Sequence, residues 1–212
     1  MKRSRIAFAM FCAVFFSTTS FVYAKDASTA LVDYVARPDP SYGYVKRTEG
    51  VNSGVSYVEL ILTSQTWRGI TWKHQLYVVV PDAMPSDVHH ALLLIDGGKW
   101  RDTYDEPLTE KEEAKLHRRV RLLMSVANQV QTPIVVLRQV PHQPIFVGKS
   151  EDAAIAYTFE QYFQTNDFEW PLLLPMVKSV TKAMDAVQTL IRDEWSLTIN
   201  TFTVIGASKR GW

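Results

Sequence analysis

Apolar and polar positions alternate along the first part of the chain in a pattern that predicts two paired strands. Residues 56–66 and 69–80 are rich in Val, Ile, Tyr, Thr and Trp, which favour strands. Between them, the sequence TWRG at 66–69 contains the glycine that a tight turn favours. We therefore expect an antiparallel hairpin at one edge of a sheet.

Farther along, continuous apolar runs alternate with segments of helical spacing. The runs, which are typical of strands covered on both faces, are residues 91–95, 133–137 and 201–205. The helical segments are residues 109–130, 151–164 and 171–195. Strands separated by helices form parallel sheets with helical crossovers. The sequence thus predicts an α/β fold, with a mostly parallel sheet, helical crossovers and the antiparallel hairpin at one edge.

Two of these helices carry further local signals. Thr109 can begin the first helix, with Glu112 three residues later, which is the spacing of a capping box. The last helix has an apolar stripe that we expect to face the core. Its members are Met176, Val177, Val180, Met184, Val187 and Ile191.

The first 24 residues have the order of a secretory signal peptide. Three basic residues among the first five precede an apolar run at 6–16, and small residues near Ala24 offer a cleavage site. An uncleaved membrane anchor is the alternative, but the run is short for a bilayer span. We expect residues 25–212 to be exported, periplasmic or secreted, with no stable membrane anchor after cleavage.

Composition narrows the classes of partner and cofactor. Without residues 1–24, 20 basic and 22 acidic residues remain, a net charge of −2, so we do not expect a nucleic acid partner. The one cysteine, Cys12, lies in the predicted signal, so the core must stabilise a mature form without disulfides. Neither a G-x-G-x-x-G motif nor a phosphate loop occurs. The His89-His90 pair has no metal-ligand spacing, so we expect no cofactor and no metal.

The candidate for chemistry is Ser208, in the sequence GASKRG at 206–211 just after a predicted strand. A serine on a tight strand-to-helix turn is the nucleophile elbow of α/β-hydrolases, and its neighbours Gly206 and Gly211 suit such a turn. The common elbow is G-x-S-x-G, so Arg210 stands where the second glycine is expected. The alternative is that Ser208 caps a helix and that Lys209 and Arg210 are solvated surface charges.

A nucleophile of this kind needs donors for an oxyanion and a general base. The N–H of Lys209 is one expected donor, and the glycines Gly97 and Gly98 follow an earlier strand at the place of the second. In α/β-hydrolases the base follows the nucleophile, whereas all five histidines of this chain precede Ser208. Among them His142 is best placed to act instead, with a loop histidine held by packing as the alternative.

Several stretches resemble the PhoPQ-activated pathogenicity-related protein family, in the order of that family. They are DYVARPDPSYGY, LTSQTW, LLLIDGGKW, VLRQVPHQPI, EDAAIAYTFEQYF, EWPLLLPMVKSVTKAMDAVQ and VIGASKRGW. The resemblance implies an exported protein of α/β-hydrolase-like fold, with Ser208 at the nucleophile position and Arg210 as a normal residue of this family's elbow. It also implies that residues 25–212 are the N-terminal portion of the domain, with the triad acid and base beyond Trp212.

Two functions fit these expectations. The first is a serine hydrolase of acyl bonds, ester or peptide, in an unidentified small molecule or peptide; it would be inactive as this fragment because the acid and base are missing. The second is a non-enzymatic secreted protein, in virulence or signalling, that keeps the hydrolase scaffold.

Overall fold

The computed structural model describes residues 27–52, 54–85 and 87–211, without the side chains of residues 113–120. The predicted signal peptide, with Cys12, lies outside the described residues. The strands are β1 (Gly43–Asn52), β2 (Val55–Trp67), β3 (Ile70–Pro81), β4 (His90–Ile95), β5 (Ile134–Leu137) and β6 (Thr201–Gly206). The helices are α1 (Ala30–Ala36), α2 (Glu110–Val130), α3 (Asp152–Thr165) and α4 (Leu173–Trp195), with short 3₁₀ turns at Asp102–Asp105 and Ser208–Gly211.

These strands form one mixed sheet in the order β1-β2-β3-β5-β4-β6. Strands β1, β2 and β3 form an antiparallel meander, and β3 is also antiparallel to β5. The pairs β5–β4 and β4–β6 are parallel, and helices connect these strands. The α/β fold predicted from the sequence, with helical crossovers and an antiparallel hairpin, is confirmed. Its antiparallel part is larger than predicted, because β1 adds a strand that the sequence analysis did not identify and because β3 is antiparallel to β5.

The predicted hairpin joins β2 and β3 through a two-residue turn. Trp67 pairs with Ile70, and the turn residues Arg68 and Gly69 both have positive φ, 52° and 75°. Positive φ at both positions is what a type I′ turn requires, and its twist matches that of the strands. Glycine therefore suits position 69, because it adopts a positive φ without a steric cost.

Each face of the sheet is covered by a helix, which explains the continuous apolar runs. In β3, Leu76 and Val78 belong to the large core cluster that includes the buried side of α4. The intervening Tyr77 and Val79 belong to a second cluster with Met124 of α2. Successive side chains of a strand point to opposite faces. A strand segment with helices on both sides is therefore apolar at successive positions. Strand β6 differs, because it lies at the edge of the sheet and its residues are half-buried or exposed; the prediction that this run is covered on both faces is wrong for the described residues.

The helix signals are confirmed in part. Thr109 and Glu112 form the predicted capping box of α2. The stripe of α4 divides, because Met176, Val187 and Ile191 are buried, whereas Val177, Val180 and Met184 are half-buried and line a groove beside β6. In the part of the chain that the structure describes, no helix combines the length and the hydropathy of a membrane span.

A chain of buried polar side chains crosses the core between α1 and β3. The Tyr34 hydroxyl donates to Gln65 Oε1 at 2.6 Å, and Gln65 Nε2 donates to Ser179 Oγ at 3.2 Å. Ser64 Oγ lies 3.1 Å from Ser179 Oγ and 3.0 Å from Nε2 of His74. Hydrogen bonds within the network compensate the cost of burying these groups. The Ser64–His74 pair is fully buried and is thus structural.

Candidate functional site

Three loops leave the sheet side by side at the carboxyl ends of the parallel strands. Ile95 of β4 is paired with Leu137 of β5 on one side and with Gly206 of β6 on the other. The segments that follow these three residues therefore begin at the same edge. In open α/β sheets this edge is where ligands bind. The register thus brings the predicted glycine loop and Ser208 to one place.

Ser208 lies on a tight turn directly after β6. It is exposed, and its φ of 56° is in the left-handed region, which costs a non-glycine residue on the order of 1–3 kcal/mol. A Cβ atom at Gly206 would overlap the carbonyl group of Arg210, and one at Gly211 would lie 2.7 Å from the Gly206 oxygen. The chain therefore passes close to itself on both sides of Ser208. A tight, strained turn of this kind is what a nucleophile elbow requires, and we call it the elbow; the catalytic role of Ser208 stays a prediction.

Arg210 occupies the second glycine position of the common motif and is not a solvated surface charge. Its side chain is 14% exposed; Nε donates to the Val140 carbonyl at 2.9 Å and Nη2 donates to Glu151 at 2.7 Å. The guanidinium also lies directly against Gly97, where a Cβ atom would overlap it. We call these contacts the Arg210 bridge. They connect the elbow to both neighbouring loops and to the start of α3.

Glu151 receives several donors at the other end of the Arg210 bridge. Besides Arg210, the Gln143 amide donates to its carboxylate at 2.7 Å and the Lys209 ammonium lies 3.1 Å away. Partial burial alone would raise the pKa of Glu151, but the hydrogen bonds from Arg210, Gln143 and Lys209 lower it to about 2. The carboxylate is therefore charged at any physiological pH.

The sequence analysis did not assign this role to Glu151. The residue precedes α3, which begins at Asp152, and it has a φ of 54° and no side-chain capping bond to the helix. An arginine at a position that is normally glycine is itself a sequence signal for an acidic partner, because a half-buried guanidinium needs one. That signal does not say which of the chain's acidic residues provides it.

The glycine loop after β4 is held in place by its neighbours. The Gly97 N–H donates to the Asp96 carboxylate at 2.8 Å, and that carboxylate also accepts from Arg138 at 3.1 Å. Gly98 has a φ of 117°, and its carbonyl accepts from the Gln143 amide. To stabilise an oxyanion, Gly97 would have to exchange the Asp96 bond for one to the substrate. The oxyanion roles of Gly97, Gly98 and the Lys209 N–H stay predictions.

The histidines whose side chains the structure describes have other partners than Ser208. His142 is 8% exposed, lies between the rings of Trp72 and Trp100, and has Nδ1 3.1 Å from the Lys73 carbonyl. Burial lowers its pKa, as expected for an imidazole held in an apolar environment. These contacts fit the alternative interpretation, in which His142 is a loop histidine held by packing.

The other described histidines are equally engaged. His74 is fully buried, and burial is the main reason that its pKa is lowered to about 3. His89 bonds to the Thr198 carbonyl, and His90 bonds to the hydroxyls of Thr201 and Thr203. Among the side chains that the structure describes, no three His, Cys, Asp or Glu residues form a group that could hold a metal ion.

Comparisons with known proteins add a relative and partial structural matches. Over 201 residues the chain is 33% identical to Autocrine proliferation repressor protein A of Dictyostelium discoideum. The match covers 87% of the chain but only 37% of that protein. A glucuronoyl esterase from Solibacter usitatus has 14% identity and a TM-score of 0.45, over 87% of this chain and 52% of its own. An acetyl xylan esterase from Paenibacillus sp. R4 has 9% identity and a TM-score of 0.44, over 87% and 51%. Neither superposition is close enough to carry an inference about substrate.

The family itself is shown by a match to a family pattern. The sequence pattern that describes the PhoPQ-activated pathogenicity-related proteins matches residues 31–212, which is most of the chain. This range includes the elbow, the glycine loop and every residue of the Arg210 bridge. The chain belongs to the PhoPQ-activated pathogenicity-related protein family.

Proposed function

We propose that this chain is the N-terminal part of an exported hydrolase that cleaves acyl bonds with Ser208 as its nucleophile. The observation that carries the proposal is the geometry of Ser208, exposed at the end of β6 with a φ of 56° beside the glycine loop. A strained serine persists only where the surrounding structure holds it, and such strain is concentrated at functional sites. The Arg210 bridge provides that support.

The reaction would have two steps, and in each step one bond to the substrate carbonyl carbon forms and another breaks. Ser208 Oγ attacks the carbonyl carbon, the bond to the leaving alcohol or amine breaks, and the proton of Oγ passes to the leaving group. Water then hydrolyses the acyl-enzyme and restores the serine. The Lys209 N–H and the loop at Gly97 and Gly98 would hold the negative charge on the carbonyl oxygen.

Efficient transfer of that proton needs a base and an acid beside Ser208. The described histidines are bonded elsewhere, and the chain spans 37% of its curated relative. Both facts support the proposal that the acid and base come from a part of the protein after residue 212. The pattern of residues 1–24 supports export to the periplasm or outside the cell.

Labelling with a fluorophosphonate probe tests this proposal. We expect residues 25–212 alone to react negligibly, because an unactivated serine is a weak nucleophile. A longer protein that contains the acid and base should be labelled, and Ser208→Ala should abolish the labelling. Ser28→Ala, at an exposed serine before α1, is the matched control and should leave it unchanged. Labelling that persists in Ser208→Ala would refute the role of Ser208.

A non-enzymatic secreted protein is the second candidate. The observation that favours it is the 33% identity to a relative whose name describes a repressor of proliferation and not an enzyme. A folded scaffold can keep its shape after losing its chemistry. In this case Ser208→Ala would leave the biological effect of the whole protein intact, and the probe would not label the wild type.

A further inference from the structure

An apolar pocket of about 350 Å³ lies beside the elbow. Helix α4 provides Val177 and Val180, α3 provides Phe159, the end of β4 provides Ile95, and the loop after β5 provides Val140. Its volume is within the range of roughly 300–1,000 Å³ that is usual for small-molecule sites. The half-buried side of α4 therefore lines a cavity large enough for a ligand.

The pocket begins next to the nucleophile. Lys209 and Arg210, the two residues directly after Ser208, form part of its wall. Consecutive Cα atoms are about 3.8 Å apart, so an acyl group bonded to Ser208 would be within reach of this wall. Leu31 of α1, which is 43% exposed, lines another part of the pocket.

The chemistry of the wall favours a neutral hydrocarbon. Both cations are already paired, Arg210 with Glu151 and Lys209 with Asp152, so they contribute mainly their aliphatic stems. The other lining residues are all apolar. A carbohydrate would leave its hydroxyl groups without partners there, at a cost of about 1–3 kcal/mol each. A free carboxylate would find its potential counter-ions occupied.

We propose that this pocket binds the straight alkyl chain of a neutral acyl ester while the ester carbonyl lies at Ser208. The inference rests on the proposed hydrolase function and adds the substrate class. The volume equals that of about a dozen water molecules at ~30 Å³ each, so the pocket has room for an acyl chain longer than a butanoyl group. Each methylene that enters the pocket raises affinity about four-fold.

Binding can be measured without turnover in the complete protein carrying Ser208→Ala. Nile red, an uncharged dye whose fluorescence increases in apolar sites, is displaced by methyl esters of increasing acyl length. We expect methyl octanoate to compete far better than methyl butanoate. Leu31→Trp, which fills the pocket, should weaken dye and ester binding at least ten-fold. Val32→Trp is the matched control, because Val32 is the next residue of α1, is 68% exposed and does not line the pocket.

The outcomes separate the two proposals. Equal binding by the two tryptophan variants, or an affinity that does not rise with chain length, overturns the alkyl site. So does an absence of dye binding in the complete protein while residues 25–212 alone bind the dye, because the rest of the chain then fills the pocket. If the esters bind as expected but Ser208 is not labelled by the fluorophosphonate, the alkyl site stands and the hydrolase function fails.

Discussion

Replacing Glu151 by glutamine should destabilise the protein in a way that depends on pH. The change keeps the shape of the side chain and removes the charge to which Arg210, Lys209 and Gln143 donate. A pKa lowered from 4.5 to about 2 would correspond to about 3 kcal/mol at about 1.36 kcal/mol per pH unit. The Glu151 side chain is 40% exposed, and solvent screening reduces this to about 1 kcal/mol.

The direction of the pH dependence follows from the lowered pKa. The folded state holds the carboxylate charged more strongly than the unfolded state, so the stabilisation is complete above pH 4.5 and is lost as the pH falls towards 2. The difference between wild type and Glu151→Gln should therefore be about 1 kcal/mol at pH 7 and roughly half of that near pH 3.

Urea unfolding followed by far-UV circular dichroism at both pH values measures this difference. Glu160→Gln is the matched control, because Glu160 lies on the exposed side of α3 and its carboxylate accepts from Gln164. That variant should unfold like the wild type at both pH values. A difference for Glu151→Gln that is the same at pH 7 and pH 3, or absent at pH 7, would contradict the assigned electrostatic role.

Three other substitutions test the core and its buried network. Leu93→Ala, at a fully buried position of β4, should lower the free energy of unfolding by about 2–5 kcal/mol. The control Leu122→Ala, at a 70% exposed position of α2, should change it by less than about 0.5 kcal/mol in the same urea titration. Tyr34→Phe should cost about 1–3 kcal/mol because the Gln65 oxygen loses its donor at a buried position; a cost no larger than that of Tyr44→Phe on β1 would argue against the network. The pKa of His74 is about 3 in the folded state and near 6.5 when unfolded, so stability should fall as the pH drops below 6.5. The melting temperature of His74→Gln should therefore depend less on pH between 7.5 and 5 than that of the wild type. An unchanged dependence on pH would refute the conclusion that His74 is buried in its neutral form.

Most of the fold could be predicted from the sequence because the central strands have helices on both faces, and because the edge strand β6 is apolar although it is half-buried or exposed. The apolar runs that became β4, β5 and β6 were located to within a residue or two. Strand β1 was missed because its sequence GYVKRTEGVN has several charged positions and is half-buried or exposed throughout. A strand at the edge of a sheet can be polar, so its pattern resembles that of a loop. The position of β5 between β3 and β4 depends on long-range pairing that no local pattern encodes.

The candidate site was predictable only at its glycines and at Ser208. The GASKRG sequence indicates a tight turn, and the structure shows which atoms approach each other there. The partners of Arg210 could not be predicted, because Glu151 is 59 residues away and the Val140 carbonyl leaves no trace in a sequence. The local signal at Glu151 pointed to a helix start, which is where the residue lies, and gave no indication of its contact with the elbow.

The Arg210 bridge also constrains how related sequences can diverge. Exchanging Arg210 alone would leave Glu151 and the Gln143 amide facing each other without the guanidinium, and exchanging Glu151 alone would leave a half-buried cation without its counter-ion. Residues in direct contact tend to change together during evolution. In an alignment of the family, position 210 should covary with positions 151 and 143, and at position 97 only glycine should accompany an arginine at 210.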